Sequence, residues 1–310
     1  MSIVNPENCS ETSESDAIAA FDLGSNSIKM SVAHREGARN VNEFMWRSET
    51  VRLGRDLEST GELAPDRIAA ALDTLKRFAD EARAAGARRL IGVATEATRV
   101  AANGPAFLDD VRRQTGIDIR SISGGDEAEL TFRGLDGVVD LSGDVTVADI
   151  GGGSTELILA HEKSIQWSKS HSFGSGRLTD RFVEHDPPTS AETAACRAEA
   201  RRQIADAPLS AVLGGRLIIV GGTGEYLDRL LPDDMPREMA AFEHALRKLQ
   251  SIPATSLAEE LSIPEARARV LPSGVAIAAG IADEMRPASF EAAQSGIRRG
   301  LLLSAFAGDI

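Results

Sequence analysis

A layered α/β protein made of two related domains is the fold class that this sequence predicts. Three observations point there. The chain has 310 residues, more than one domain of about 150 residues needs. Apolar runs of strand length alternate with segments of helical periodicity along most of its length, as layered α/β domains require. One short pattern also occurs twice, 127 positions apart: Phe21-Asp22-Leu23-Gly24-Ser25-Asn26-Ser27 and Ala148-Asp149-Ile150-Gly151-Gly152-Gly153-Ser154-Thr155-Glu156. Asp22 answers Asp149, Gly24 answers Gly151 and Ser27 answers Ser154. Further on, Ala33-His34 answers Ala160-His161.

Taken in order, residues 1–15 are polar and acidic and read as a disordered tail. Ala17 to Phe21 and Ile28 to Ala33 flank the first small-residue turn and form a β-hairpin. Glu43 to Leu53 suits a further strand. Pro65-Asp66 opens a helix with Ile68, Leu72, Leu75 and Phe78 at helical spacing, and Gly86 ends it. Leu90 to Ala94 is a short buried strand, Pro105 to Gln114 a helix stopped near Gly116, and Ile117 to Ile122 another strand. Gly124-Gly125 punctuates the chain, which divides it into a first domain over 16–125 and a second over 126–310. Asp126 to Val139 reads as a helix leading into the second hairpin, Val145 to Ala160.

Ile165 to Ser172 is strand-like and runs into Gly174-Ser175-Gly176. Ser190 to Ala207 is helical. Leu217 to Val220 is a strand that meets Gly221-Gly222-Thr223-Gly224, with a helix from Glu225. The remainder to about residue 286 is mostly helical. Pro272-Ser273-Gly274 interrupts its apolar segment, which is too short to span a membrane. Ile297 to Ala307 is a last helix, expected to pack back on the first domain.

Composition excludes several functions. The net charge is −13 and aromatic residues make up 4% of the chain. Neither the basic footprint nor the stacking rings of a nucleic-acid binder are present. A polyanion can bind only where local donors or a metal ion outweigh the overall field. Cys9 and Cys196 show no metal-ligand or disulfide spacing, which fits a reducing cytoplasm, and no signal peptide precedes the first strand.

The repeated turn carries the chemistry. Consecutive N–H groups around glycine form an anion nest, and the serine hydroxyls add donors. Gly24, Ser25, Asn26 and Ser27 are the phosphate-binding candidates of the first copy. Gly151, Gly152, Gly153, Ser154 and Thr155 are those of the second. The aspartates at the strand ends, Asp22 and Asp149, suit Mg²⁺, which prefers oxygen ligands and keeps its waters. The copies are unequal: Lys29, an added phosphate-binding candidate, stands where the second copy has Glu156. Gly222 and Thr223 could hold phosphate at a helix N-terminus. Arg99 and Arg177 could grip phosphate bidentately or be solvated helix arginines. Asp126, Glu127 and Glu129 fit either a favourable helix start or a general base.

Together these residues resemble the exopolyphosphatase / guanosine pentaphosphate phosphatase family of the actin-like superfamily, from about residue 17 to 303. Asp22 to Ser27 is similar to its first phosphate loop, and Ala94-Thr95 through Arg99 to its Ala-Thr-Ser-Ala-x-Arg segment. Ser123 to Leu130 is similar to Ser-Gly-x-Glu-Glu-Ala-x-Leu, and Asp149 to Leu157 matches Asp-Ile-Gly-Gly-Gly-Ser-Thr-Glu-Leu throughout. Arg177-Leu178-Thr179, Leu271 to Gly274 and Gly296 to Leu302 resemble later motifs of the family.

The resemblance implies two actin-like (ribonuclease-H-like) domains with a cleft between them. It implies a cytoplasmic, Mg²⁺-dependent hydrolase that removes terminal orthophosphate from inorganic polyphosphate, with guanosine pentaphosphate as the alternative substrate, no nucleic acid or membrane partner and a homodimer as its assembly. Glu127 maps to the catalytic base, and Asp149 and Glu156 to metal and water. An actin-like kinase or ATPase and a silent polyphosphate or alarmone sensor are the alternatives. Three positions depart from the pattern: Asp126 for Glu, Glu96 for Ser beside Arg99, and Arg299 for Glu.

Overall fold

An unbroken apolar run is what a strand buried on both faces needs, and Ala17–Leu23 is such a run. It forms β1, the middle strand of the first sheet. Ala17, Ala19, Phe21 and Leu23 enter one core while Ile18 and Ala20 enter another. In this computed structural model the described residues are 17–37 and 40–310, so the expected tail over residues 1–15 lies outside them.

β1 pairs antiparallel with β2 (Ser27–Glu36), which pairs antiparallel with β3 (Asn40–Thr50). On its other side β1 pairs parallel with β4 (Ala87–Ala94), and β4 with β5 (Asp118–Ser121). The intervening helices are α1 (Leu57–Thr60), α2 (Pro65–Ala84), α3 (Glu96–Val100) and α4 (Gly104–Thr115). Leu75, Phe78 and Ala82 of α2 and Phe107 and Val111 of α4 cover the Phe21 face of the sheet. α5 (Gly124–Leu135) follows.

The second sheet repeats this plan. Its strands are β6 (Asp144–Ile150), β7 (Thr155–His161), β8 (Ser164–His171), β9 (Arg216–Val220) and β10 (Ser289–Ala293). Their order, β8-β7-β6-β9-β10, matches the first sheet's β3-β2-β1-β4-β5 strand for strand. The helices are α6 (Ser175–Phe182), α7 (Ser190–Gln203), α8 (Gly221–Leu230), α9 (Met239–Leu249), α10 (Ala254–Leu261), α11 (Glu265–Met285) and α12 (Ile297–Ala307). α11, packed against α7, α9 and α10, builds the larger core on the Leu157 face.

The remaining face of each sheet is covered by a helix that follows the other sheet. α5 leaves β5 yet lays Ala128, Phe132 and Leu135 on Val145, Val147 and Ile158 of the second sheet. α12 leaves β10 yet lays Ile297, Leu301 and Ala305 on Ile18, Ala20 and Val93 of the first. The two helices cross between the sheets at close range. A side-chain carbon on Gly134 would collide with the Gly296 carbonyl, and one on Gly300 with the Leu130 carbonyl. Glycine here is required by helix approach, against its poor helix propensity.

Four expectations need correction. α5 stops at Leu135 rather than Val139, because Arg299 caps it: its Nη1 donates to Gly134 O at 3.0 Å and Asp136 O at 2.8 Å, and its Nη2 to Asn40 Oδ1 at 2.8 Å. Cations at a helix C-terminus are favoured, so this departure from the family pattern has a structural reason. Gly221 to Gly224 is the first turn of α8 rather than a loop before it, with Gly221 at a φ of 77°. The segment Pro272-Ser273-Gly274 lies inside α11. Its burial, with Thr179 Oγ1 donating to Ser273 Oγ at 2.8 Å, outweighs the missing proline N–H. β10 and α6 were not foreseen. β10 has a mixed sequence, Ser-Phe-Glu-Ala-Ala, and is held by parallel pairing with β9.

The α5–α12 crossing yields a stability contrast. Gly300→Ala or Gly134→Ala should lower stability by about 1–3 kcal/mol, the usual cost of overpacking. Gly125→Ala, whose added carbon meets nothing nearer than Ser123 Oγ at 3.6 Å, should show no loss. Urea denaturation of the three variants measures the difference.

Candidate active site

Both repeated turns end a middle strand, and their residues take matching places. Gly24 N donates to Ser27 O at 3.1 Å, and Gly151 N to Ser154 O at 3.0 Å. Across the hairpins Asp22 faces Lys29, and Asp149 faces Glu156. The turns touch each other: a side chain on Gly152 would strike Asn26, and one on Gly153 would strike Ser25 and Glu96. Neighbouring segments take the turn carbonyls. Val51 N and Arg52 N donate to Asn26 O at 3.0 and 2.8 Å, Ser175 N to Gly151 O at 2.8 Å and Arg177 N to Gly152 O at 2.9 Å. Among the described residues no protein acceptor takes the N–H groups of Asn26, Gly152 or Gly153. Donors left open around two facing turns form an anion cradle.

The cleft lies at the carboxyl ends of the parallel strands, where open α/β sheets bind ligands. Asp22 comes from β1 and Gly24 follows it, Thr95 follows β4, and Glu127 follows β5. Asp149 comes from β6 and Gly151 follows it, Gly221 and Gly222 follow β9, and Gln294 and Gly296 follow β10. Ser25, Asn26, Ser27, Lys29, Gly152, Gly153, Ser154 and Glu156 complete the part that the sequence assigned.

Glu127 is placed by a cap. Ser123 Oγ accepts from Asp126 N at 3.1 Å, and the Asp126 carboxylate accepts from Ser123 N at 3.1 Å. This capping box fixes the start of α5, and Asp126, one departure from the family pattern, serves it. The next residue, Glu127, is buried with Oε2 unbonded. Arg99 Nη1 lies 3.7 Å from that oxygen and is anchored by donating to Ile122 O at 2.7 Å.

Burial raises the Glu127 pKa well above the glutamate range. Glu156, Asp149 and Asp22 push it further, and Arg99 opposes them. Burial and Asp149 raise Glu156 to about 8, although Ser170 Oγ donates to its Oε1 at 2.7 Å. Burial also raises Asp22 and Asp149. Lys29 counters both, and Thr131 Oγ1 donates to Asp149 Oδ2 at 3.2 Å. Lys29 is itself lowered, by burial first. Such a cluster favours protons, cations or a bound anion's counter-charge. Among the described residues no three His, Cys, Asp or Glu side chains gather as a metal cage.

Four assigned residues stand apart from this cleft. Arg99 lies behind Glu127. Thr155 is buried and donates its hydroxyl to Phe173 O at 2.7 Å. Thr223 is buried beneath Gly274 of α11. Arg177 lies on the outer side of the turns, where its Nη1 sits 3.0 Å from Glu96 Oε1. Glu96 is 2% exposed and has Arg177 as its ion-pair partner. Sequence reading missed Arg267, over Gly222 and the Tyr226 ring, and Arg298, at the start of α12. Only tertiary packing brings these two arginines to the site. Arg298, two residues after Gly296 at a helix start, carried the one faint signal.

Comparison with known proteins agrees with this geometry. Residues 32–307 match the Ppx/GppA phosphatase family. Exopolyphosphatase 2 of Mycobacterium tuberculosis is 32% identical over 255 residues, which cover 78% of this chain and 77% of that protein. A Ppx/GppA phosphatase structure from Aquifex aeolicus, 25% identical, superposes with a TM-score of 0.69 over 93% of this chain and 99% of its own. An exopolyphosphatase from Cytophaga hutchinsonii, 22% identical, shares the fold with a TM-score of 0.85 over 94% of this chain and 98% of its own. The chain therefore belongs to the Ppx/GppA phosphatase family, and is a phosphoanhydride hydrolase built on two actin-like domains.

Proposed function

We propose that this protein removes terminal orthophosphate from inorganic polyphosphate, with Glu127 as the base. The observation that carries this reading is the placement of Glu127. It is a buried carboxylate of raised pKa in a cleft it shares with two turns whose N–H groups are open. The terminal phosphate would accept hydrogen bonds from Asn26, Gly152 and Gly153 and from the side chains of Ser25 and Ser154. Lys29, Arg267 and Arg298 would offset the charge of the chain. Glu127 would accept a proton from water as its oxygen attacks the terminal phosphorus in line. The bond to the next phosphate breaks, and the shortened chain departs with the electron pair. Positioning and electrostatic stabilisation supply most of the catalysis in such transfers. A raised pKa suits the base, because proton transfer is best served near the operating pH.

Asp149 and Glu156 suit Mg²⁺, which takes one or two carboxylates together with substrate phosphates and waters rather than a full protein cage. Burial first, and neighbouring carboxylates second, raise their pKa values, and a cation there would favour their charged forms. When bound, the ion would neutralise the phosphate oxygens. Guanosine pentaphosphate presents the same terminal anhydride, and parallel turnover of both substrates decides between them.

Glu127→Gln keeps the shape of the side chain and removes the base. It should lower kcat for phosphate release by about 100-fold or more with little change in KM, and wild-type-like release would refute the assignment. The pH profile gives a second check. The base must be ionised, so activity is lost as pH falls through its raised pKa. The acidic limb of kcat/KM should lie well above the ordinary glutamate range, because burial and the neighbouring carboxylates Glu156, Asp149 and Asp22 hold Glu127 there. Raising Mg²⁺ should move that limb to lower pH. A limb near pH 4 at every Mg²⁺ level would contradict the electrostatics described.

A further inference from the structure

On the far side of the two turns lies a second groove, lined by Asn26, Gly152, Arg52, Arg55, Arg177 and Arg181. Four arginines beside open turn N–H groups would make a strong anion site, but carboxylates already occupy them. Arg52 Nη2 donates to Asp180 Oδ1 at 2.6 Å, and Arg55 Nε lies 3.3 Å from Asp56 Oδ2. Arg181 Nη1 lies 3.4 Å from Glu199 Oε1. Arg177 sits 3.0 Å from Glu96 and 3.8 Å from Glu58.

Glu96 differs from the rest of these carboxylates. It is buried within a short helix and pressed against Gly153. Neither of its oxygens makes a hydrogen bond, and Arg177 is its one ion-pair partner among the described residues. A desolvated carboxylate cannot give up its only cation cheaply, whereas an exposed one such as Asp56 can. Beside it, the buried Asn26 Nδ2 is a donor without an acceptor.

We propose that this groove is a second anion subsite for phosphates of a long chain beyond the third from the cleaved end, and that Glu96, by occupying Arg177, holds its affinity down so that the protein favours short phosphate chains over long ones. The substrate class rests on the function proposed above. Arg177 is a positioning partner of Glu96 in the resting protein and becomes a phosphate ligand only when that charge is removed.

Calorimetric binding of tripolyphosphate and of long-chain polyphosphate to the full chain tests this, with thermal denaturation confirming that each variant is folded. Glu96→Gln preserves the side chain's size, and Glu96→Ser restores the residue of the family pattern. Both should tighten long-chain binding by about tenfold, the effect of one gained charge-assisted contact, and leave tripolyphosphate unchanged. Adding Arg177→Ala to Glu96→Gln should cancel the gain. Equal tightening of both ligands, no tightening in a folded variant, or a gain that survives loss of Arg177 would overturn the proposal. Absence of phosphate release from either ligand by the wild-type protein would instead reject the proposed function, and the binding ratio would still decide the role of Glu96.

Discussion

Four carboxylates share one buried cleft, and the rest of the site answers that crowding. Asp22, Asp149, Glu156 and Glu127 are each held above their ordinary pKa by burial, and Asp149 raises Glu156 and Glu127 further. Charge of one sign in a low-dielectric space is costly, so cations gather on three sides: Lys29 from β2, Arg99 from α3 and Arg298 from α12. Of these cations Arg99 comes nearest to a cleft carboxylate, pairing with Glu127 at 3.7 Å. The arrangement therefore keeps both proton affinity and anion affinity high, which is what transfer of a phosphoryl group to water asks of a protein surface.

The duplication supplies geometry twice and chemistry once. Both halves carry the same strand order and the same turn. One cross-strand position separates them. Opposite its aspartate the first hairpin sets Lys29, and the second sets Glu156. A cation beside the first turn and a carboxyl group of raised pKa beside the second make the two sides of the cleft unlike. The first side is thereby suited to grip phosphate, and the second to manage a proton or a counter-ion.

Much of this was legible in the residues. The repeat marked both hairpins, because strand, glycine turn and strand leave a strong local pattern. Gly116, Pro65 and the apolar periodicity of α2 marked helix limits for the same reason. What stayed hidden depends on contacts between distant segments. α11 runs through Pro272 because burial overrides a local breaker. β10 exists because β9 offers it an edge. Arg267 enters the cleft from a helix whose sequence says nothing of phosphate. Arg99, Arg177 and Thr155 matched motif positions, but the partners that occupy them, Glu127, Glu96 and Phe173 O, are distant in sequence. Glu96 showed as a departure from a pattern, and its reason became visible only once Arg177 was seen against it.

The exchange of α5 and α12 between the sheets bears on how the chain is made. A ribosome delivers the first sheet early, yet Ile18, Ala20 and Val93 on one of its faces are covered by Ile297, Leu301 and Ala305. That face stays open until residues 297–305 emerge. Contacts of such sequence separation fold slowly and leave apolar surface uncovered meanwhile. The nascent first sheet is thus a dependent unit during synthesis, and loss of the eleven-residue α12 would strip a core otherwise built from residues 18–122.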